Sequence, residues 1–154
     1  MSDRYSTRPL PDKPFVPGVS TRADRPTAPP ARPVAVDLDG LATHEDFLHG
    51  IDLFNHGFPW EAHEAWEPLW FASPRDRPER AMLQGLIHAA AAAVKARAGA
   101  LNAARGFVDS ACEHLGIAGT AMIVDVADLI AGLSAWAEDP ARPPPRIALA
   151  RHSP

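Results

Sequence analysis

The sequence predicts an all-α fold, a small bundle of about five helices, and three observations lead to this prediction. From residue 43 onward, apolar residues recur three and four positions apart, which is the spacing of one face of an α-helix. Proline and glycine stand where these patterns begin and stop. No segment alternates apolar and polar residues as a half-buried strand does. With 154 residues, of which 46% are hydrophobic, the chain is long enough to bury one core.

The prolines divide the chain into a helical centre and two tails. Eight of the 17 prolines fall within the first 33 residues, and Pro143, Pro144 and Pro145 follow one another near the end. Proline lacks the backbone N–H that a helix needs, so neither tail is expected to be helical. We therefore predict a proline-rich, basic N-terminal arm over residues 1–40, a helical domain over 41–139 and a proline- and arginine-rich tail over 140–154.

Charge is distributed along the same boundaries. Residues 1–33 hold six basic and three acidic side chains, and residues 141–154 hold three arginines and no acidic residue. Because the whole chain carries −4, the stretch between the tails carries about −10. Such an acidic centre does not favour nucleic acid, and the basic tails are expected to lie against it. No signal peptide or membrane span is predicted, which favours a cytoplasmic protein.

The first two helices have clear start and stop signals. Thr43 followed by Asp46 predicts a capping box for the first helix, which Gly57 ends. Pro59 suits the first turn of the second helix, which we expect to run to about Phe71.

The later helices follow from the same kinds of signal. A third helix is expected from Asp76 or Pro78 to about Ala98 before Gly99, a fourth from Leu101 to Leu115 before Gly116, and a fifth from a cap at Asp125. The third helix is apolar on more than one face, with alanine and glycine on one side, so we expect it to be central.

Chemistry-bearing residues concentrate in the second helix. On a helical wheel, His63 and Glu67 lie one turn apart on the flank of the apolar stripe, as a half-buried polar pair. Glu61 and Glu64 point to the polar side of that wheel. Since His and carboxylate groups bind divalent cations, His63 and Glu67 are candidate metal ligands, with His88 or Gln84 added from the third helix.

A catalytic role for this segment would need a general base, and Glu64 is the candidate. The stretch HEAWE matches only the first half of the zinc-protease signature HExxH, because Glu67 stands where the second histidine should be. A peptidase is therefore not favoured. The candidate ligand-binding residues are His63, Glu67, Gln84, Trp60, Trp66 and Asn55.

Two other hypotheses compete with a ligand site. In the first, His63 and Glu67 belong to a structural hydrogen-bond network, because buried polar groups left unpaired cost roughly 1 to 3 kcal/mol. In the second, the protein is an interaction module, in which paired helices present a groove and the proline-rich arm occupies it or recruits a partner. The four tryptophans, Trp60, Trp66, Trp70 and Trp136, would then be anchors, although such residues in a small domain also serve as core.

The remaining cysteine and histidines suggest no site of their own. Cys112 lies in an apolar helical pattern and is expected to be a small buried hydrophobe. Solvated or capping roles are expected for the histidines that lack a carboxylate at helical spacing: His44, His49, His56, His114 and His152. A homodimer or a protein partner through apolar helix faces is a further hypothesis.

A family resemblance rests on two stretches of sequence. FLHGIDLFNHGFPWEAHEAWEPLW, followed by AMLQGLIHAAAAAVKARAG, resembles the domain-of-unknown-function family 309 (DUF309) over about residues 44–116. The FN-G turn, the AHE-x-x-E helix and the QGLI helix carry the resemblance together. It implies a small multihelical domain, preceded in longer members by a proline-bearing arm, and it implies no particular activity.

Overall fold

The computed structural model of the protein describes residues 4–17, 35–119 and 122–150. Its helices are α1 (Leu38–Leu41), α2 (Glu45–Asn55), α3 (Pro59–Ala72), α4 (Pro78–Arg97), α5 (Leu101–Ala118) and α6 (Val126–Trp136). From α2 to α6, each helix packs against the next along the chain. The predicted all-α bundle is confirmed. None of the described helices combines the length and hydropathy that crossing a membrane requires.

Proline and glycine set most helix boundaries, as the sequence predicts. Proline occupies the first position of α3 and of α4, where a helix has no use for the missing N–H. Gly57 follows α2 with φ +90° and Gly99 follows α4 with φ +84°, a backbone conformation that other residues rarely adopt. The Asp125 side chain caps α6 by accepting from the Asp128 N–H, as expected.

The start of the helical region differs from the prediction. The N-cap of α2 is His44, whose Nδ1 accepts from the Asp46 N–H at 3.2 Å, so the predicted Thr43 capping box is wrong. Thr43 belongs instead to the turn after α1, and the Thr43 N–H donates to Gly40 O. The one-turn helix α1 was not predicted from the sequence. The capping role expected for His44 is confirmed.

Helix α5 is longer than predicted. It passes through Gly116 and ends at Ala118, and the following Gly119 has φ +84°. A glycine inside a helix costs up to about 1 kcal/mol relative to alanine, which burial beyond it can offset. Here Leu115 and Ala118 both lie in the core, so packing extends the helix past the predicted stop.

The core is built around α4, which packs against α3 on one side and α5 on the other. This confirms the central position predicted for that helix. Trp66 and Phe47, both fully buried, fill the space between α2 and α3. Gly50 lies so close to the Trp66 indole that a Cβ at this position would overlap the ring, and Gly85 meets Leu115 of α5 in a similar way.

The described parts of both tails lie against the helices. We call residues 4–17 the N-terminal segment, and it contacts α2 and α3. The C-terminal tail is fixed at Ile147, whose N–H and C=O both bond to the Asn55 side chain, at 2.7 and 2.9 Å. The two tails also meet, because the Leu149 N–H donates to the Tyr5 hydroxyl at 3.3 Å. His152 lies outside the described residues.

Candidate functional site

The predicted polar pair forms a direct hydrogen bond on α3. His63 Nε2 lies 2.6 Å from Glu67 Oε2, as expected for side chains one helical turn apart. The side chain of His63 is 23% exposed and that of Glu67 is 53% exposed. A neutral His63 that donates from Nε2 has its lone pair on Nδ1. Nδ1 is shielded from solvent and makes no hydrogen bond within the described ranges, and Glu64 Oε1 is 3.8 Å away.

Aromatic rings line the same face of α3. The Trp60 ring contacts the His63 ring, with centroids 5.2 Å apart, and the Phe15 ring also contacts Trp60, with centroids 5.1 Å apart. Phe15 belongs to the N-terminal segment. The predicted site on α3 is therefore partly covered by residues that come more than 40 positions earlier in the chain.

The helical wheel predicted that Glu61 faces solvent, and this prediction is wrong. The N-terminal segment covers the Glu61 side chain. The Phe15 N–H donates to Glu61 Oε2 at 2.9 Å, and Glu61 is only 7% exposed. Burial raises the pKa of this carboxyl, and the charge of Glu64 adds to the effect. The Phe15 bond and the charge of Arg97 act in the opposite direction without cancelling it.

A second carboxylate, Asp52 of α2, holds the start of the N-terminal segment and was not singled out from the sequence. Its side chain is fully buried. It accepts from the Tyr5 N–H at 2.7 Å, from the Ser6 N–H at 2.8 Å and from the Ser6 hydroxyl at 2.7 Å. Arg4 Nε lies 3.4 Å away. The available signal was an acidic residue within the apolar run GIDLF, where a charge needs a partner.

Further contacts of the N-terminal segment involve α2. Arg8 pairs with Asp46 at 2.8 Å and with Glu45 at 3.4 Å. His49 is 7% exposed and its Nδ1 lies 3.4 Å from the Ser6 hydroxyl, so the solvated or capping role expected for it is wrong. The cause is again coverage by a distant segment, which helical spacing alone cannot reveal.

The other candidate ligand residues have partners in the fold. Trp66 Nε1–H donates to Phe47 O at 3.2 Å, and Trp70 Nε1–H donates to Gln84 Oε1 at 3.2 Å. Asn55 binds the backbone of Ile147. Gln84 therefore joins α3 to α4, and Asn55 joins α2 to the C-terminal tail.

His88 lies against α5 and not at the joint of α3 and α4. Its ring contacts Phe107 at 5.7 Å and His114 at 5.1 Å between centroids. Burial lowers the pKa of His88, and the neighbouring His114 lowers it further. Across residues 4–17, 35–119 and 122–150, no three His, Cys, Asp or Glu side chains form a group that could hold a metal ion.

These observations define the class of the protein, a small all-α domain with a His–carboxylate pair on α3 and a peptide segment laid over α2 and α3. The family model described as "Domain of unknown function (DUF309)" matches residues 47–107. The match runs from α2 through α3 and α4 into α5 and confirms the resemblance predicted from the sequence. The comparison with curated proteins found no match.

Proposed function

We propose that the domain is a peptide-binding interaction module. Its α2–α3 surface, which we call the peptide surface, consists of Asp46, Asp52, Trp60 and Glu61. In this chain the N-terminal segment is its occupant. The observation that carries the proposal is the fully buried Asp52 carboxylate, which accepts two backbone N–H groups from a segment 46 to 47 residues away.

The contacts indicate the chemical class of peptide that fits. Two carboxylates, Asp52 and Glu61, accept backbone N–H groups, which an extended peptide of almost any sequence can supply. Side chains add selectivity: Arg8 pairs with Asp46, and the Phe15 ring meets Trp60. The preferred ligand is an extended basic peptide with an aromatic residue near its C-terminal end.

The N-terminal segment supplies three hydrogen bonds to Asp52, from the Tyr5 N–H, the Ser6 N–H and the Ser6 hydroxyl. A segment in the same chain acts at an effective concentration of the order of millimolar, so it is the default occupant. A partner peptide would have to displace it.

The test cuts the connection between the N-terminal segment and the helices after the full chain has folded. A protease site is placed between residues 18 and 34 and cleaved. The affinity of the cleaved segment for the helices is then measured by displacement with a fluorescein-labelled peptide of residues 4–17. We expect the fragments to remain associated. Asp52→Asn should weaken binding about 10-fold or more, because hydrogen bonds to a charged group contribute about 1.5 to 3 kcal/mol. Glu67→Gln is the matched control and should bind normally.

Substitutions in the labelled peptide keep the test independent of any folding defect in the helical fragment. Ser6→Pro removes both the N–H and the hydroxyl that donate to Asp52 and should weaken binding, whereas Thr7→Ala, at an exposed position, should not. The proposal is wrong if the cleaved segment separates from a helical fragment that stays folded, or if the Ser6→Pro peptide binds as well as the native peptide.

A second candidate is a polar-ligand or divalent-metal site at His63, favoured by the 2.6 Å bond to Glu67. A carboxylate that orients a histidine ring is a common arrangement for a metal ligand or a general base. His63 and Glu67 would contact the ligand, with Glu64 beside them. Elemental analysis of untagged protein tests this: near-stoichiometric metal that disappears in Glu67→Gln and His63→Ala would support the site. Metal-free wild type, with both variants less stable, would assign the pair a structural role.

The remaining functional expectations rest on the sequence alone. These are a cytoplasmic location, no nucleic-acid binding, and a homodimer or protein partner through helix faces. Under the proposal made here, such a partner would supply a basic peptide to the peptide surface.

A further inference from the structure

A cleft of about 500 Å³ lies where the C-terminal ends of α2, α4 and α6 meet the C-terminal tail. Its volume falls within the range of about 300 to 1,000 Å³ that is typical of small-molecule sites. It is separate from the His63–Glu67 pair and from the peptide surface, none of whose residues line it. Phe54, Trp136 and Pro144 supply apolar surface, and Asn55, Arg97 and Arg142 supply polar groups.

The walls of this cleft are fixed by hydrogen bonds and close packing. Trp136 Nε1–H donates to the backbone oxygen of Arg142 at 2.8 Å, which positions the tail at the end of α6. Asn55 holds Ile147 through two bonds, and Gly132 lies so close to Pro145 that a Cβ would be 2.8 Å from that ring. Consecutive prolines have restricted backbone angles, so this wall loses little entropy when a ligand binds.

The charge of the lining is opposite to that of the whole chain. The chain carries −4, yet Arg97 and Arg142 are the charged residues that line the cleft, and no acidic residue lies among the described lining residues. One Arg97 nitrogen donates to Gly57 O at 2.7 Å. A guanidinium has five N–H donors, so this bond fixes the side chain and leaves other donors for a ligand. Glu61 is near enough for the Arg97 charge to counteract the rise in its pKa, but Glu61 does not line the cleft.

We infer that the cleft binds a small organic anion, whose carboxylate or phosphate group contacts Arg97 and Arg142 and whose flat apolar body packs against Trp136 and Pro144. Planar guanidinium groups match both carboxylate and phosphate oxygens. Aromatic and proline surfaces favour a flat apolar body, because its burial removes apolar area from water. Neither arginine nor Trp136 was assigned to a ligand site from the sequence.

The test uses three probes that share one ring system and differ in the attached group: 1-naphthoate, 1-naphthyl phosphate and the uncharged 1-naphthylmethanol. Binding to the full-length protein is followed through the indole N–H signal of Trp136 in two-dimensional NMR spectra, identified with a Trp136→Phe variant. We expect at least one anion to bind about 10-fold more tightly than the alcohol, since a charge-assisted bond contributes on that scale. The tighter of the two anions identifies the headgroup.

Arginine variants show whether the preference comes from the cleft. Arg142→Gln and Arg97→Gln should each weaken anion binding at least 5-fold and leave alcohol binding unchanged. The bond from Trp136 uses the Arg142 backbone, so Arg142→Gln keeps the wall intact. Arg75→Gln, at an exposed loop position, is the control and should bind as wild type. Equal affinity for all three probes, an unaltered Trp136 signal, or full anion binding by both arginine variants would overturn the inference.

Discussion

Asp52 and Glu61 are both buried carboxylates that accept bonds from the N-terminal segment, yet their pKa values move in opposite directions. Burial raises the pKa of Asp52, but three hydrogen bonds and the charge of Arg4 outweigh it, so the pKa lies below its ordinary value. Glu61 receives one bond from the segment, and burial dominates. The number of donors therefore decides the direction in which each pKa shifts.

Two histidines, the buried His49 and the partly buried His88, should make stability depend on pH. The pKa of His49 is lowered, because burial and the charges of Arg8 and Arg4 outweigh those of Asp52 and Asp46. The pKa of His88 is lowered by burial and by the neighbouring His114. As pH falls below about 6.5, the unfolded chain takes up protons that the folded chain resists, so both groups destabilise the fold. This loss of stability is complete once the pH lies below the pKa values that His49 and His88 have in the folded protein. Glu61 opposes it, because its raised pKa lets the folded state bind a proton first.

His88→Gln isolates one of these contributions. The free energy of unfolding is measured in urea at pH 7, 6 and 5 for wild type and variant. We expect the variant to gain on wild type as pH falls, because it removes the histidine and leaves Glu61 and His49 in place. A difference between the two proteins that stays constant over this range would contradict the assignment.

At the scale of elements, close helix packing depends on glycines that face aromatic or branched side chains. Gly50 of α2 lies under the Trp66 indole, whose N–H reaches Phe47 O one turn earlier in α2. Gly85 of α4 plays the same part against Leu115 of α5. The small-residue side of α4 was visible in the sequence, whereas the contact of Gly50 with Trp66 depends on how two helices cross.

A pair of glycine substitutions tests this packing. Gly50→Ala should destabilise the protein by about 2 to 3 kcal/mol, because the added methyl group must displace a fully buried tryptophan. Gly106→Ala, on α5 with no neighbouring atom within 4 Å of the added carbon, should stabilise it by about 0.5 to 1 kcal/mol. Thermal unfolding of both variants gives the measurement. Similar effects of the two substitutions would show that helix propensity, and not packing, determines the outcome.

For the whole molecule, local signals predicted most helices, and distant contacts account for what they missed. Pro59, Pro78 and Gly99 act through their own backbone, so they mark boundaries wherever the chain folds. The pairing of His63 with Glu67 was likewise predictable because it lies within one helix. Burial of Glu61 depends on Phe15, which no spacing rule within α3 contains.

The charge pattern gave the most useful long-range prediction. Basic tails were expected to lie against an acidic centre, and Arg4 and Arg8 do pair with Asp52 and Asp46. Net charge could indicate that the tails are attracted to the acidic centre, but not which residues they contact. The anchoring role of Asp52 and the arginine-lined cleft depend on three-dimensional contacts that composition does not encode.

The bond between Asn55 and Ile147 joins residues 92 positions apart, and this has a consequence for synthesis on the ribosome. Helix α2 emerges from the exit tunnel long before Ile147, so the native partner of the Asn55 amide arrives only after 92 further residues have been added. The early helices can pair with one another during translation. The cleft wall, however, can form only once Ile147 has been synthesised, so a translation product that stops before Ile147 would contain the peptide surface without the arginine-lined cleft.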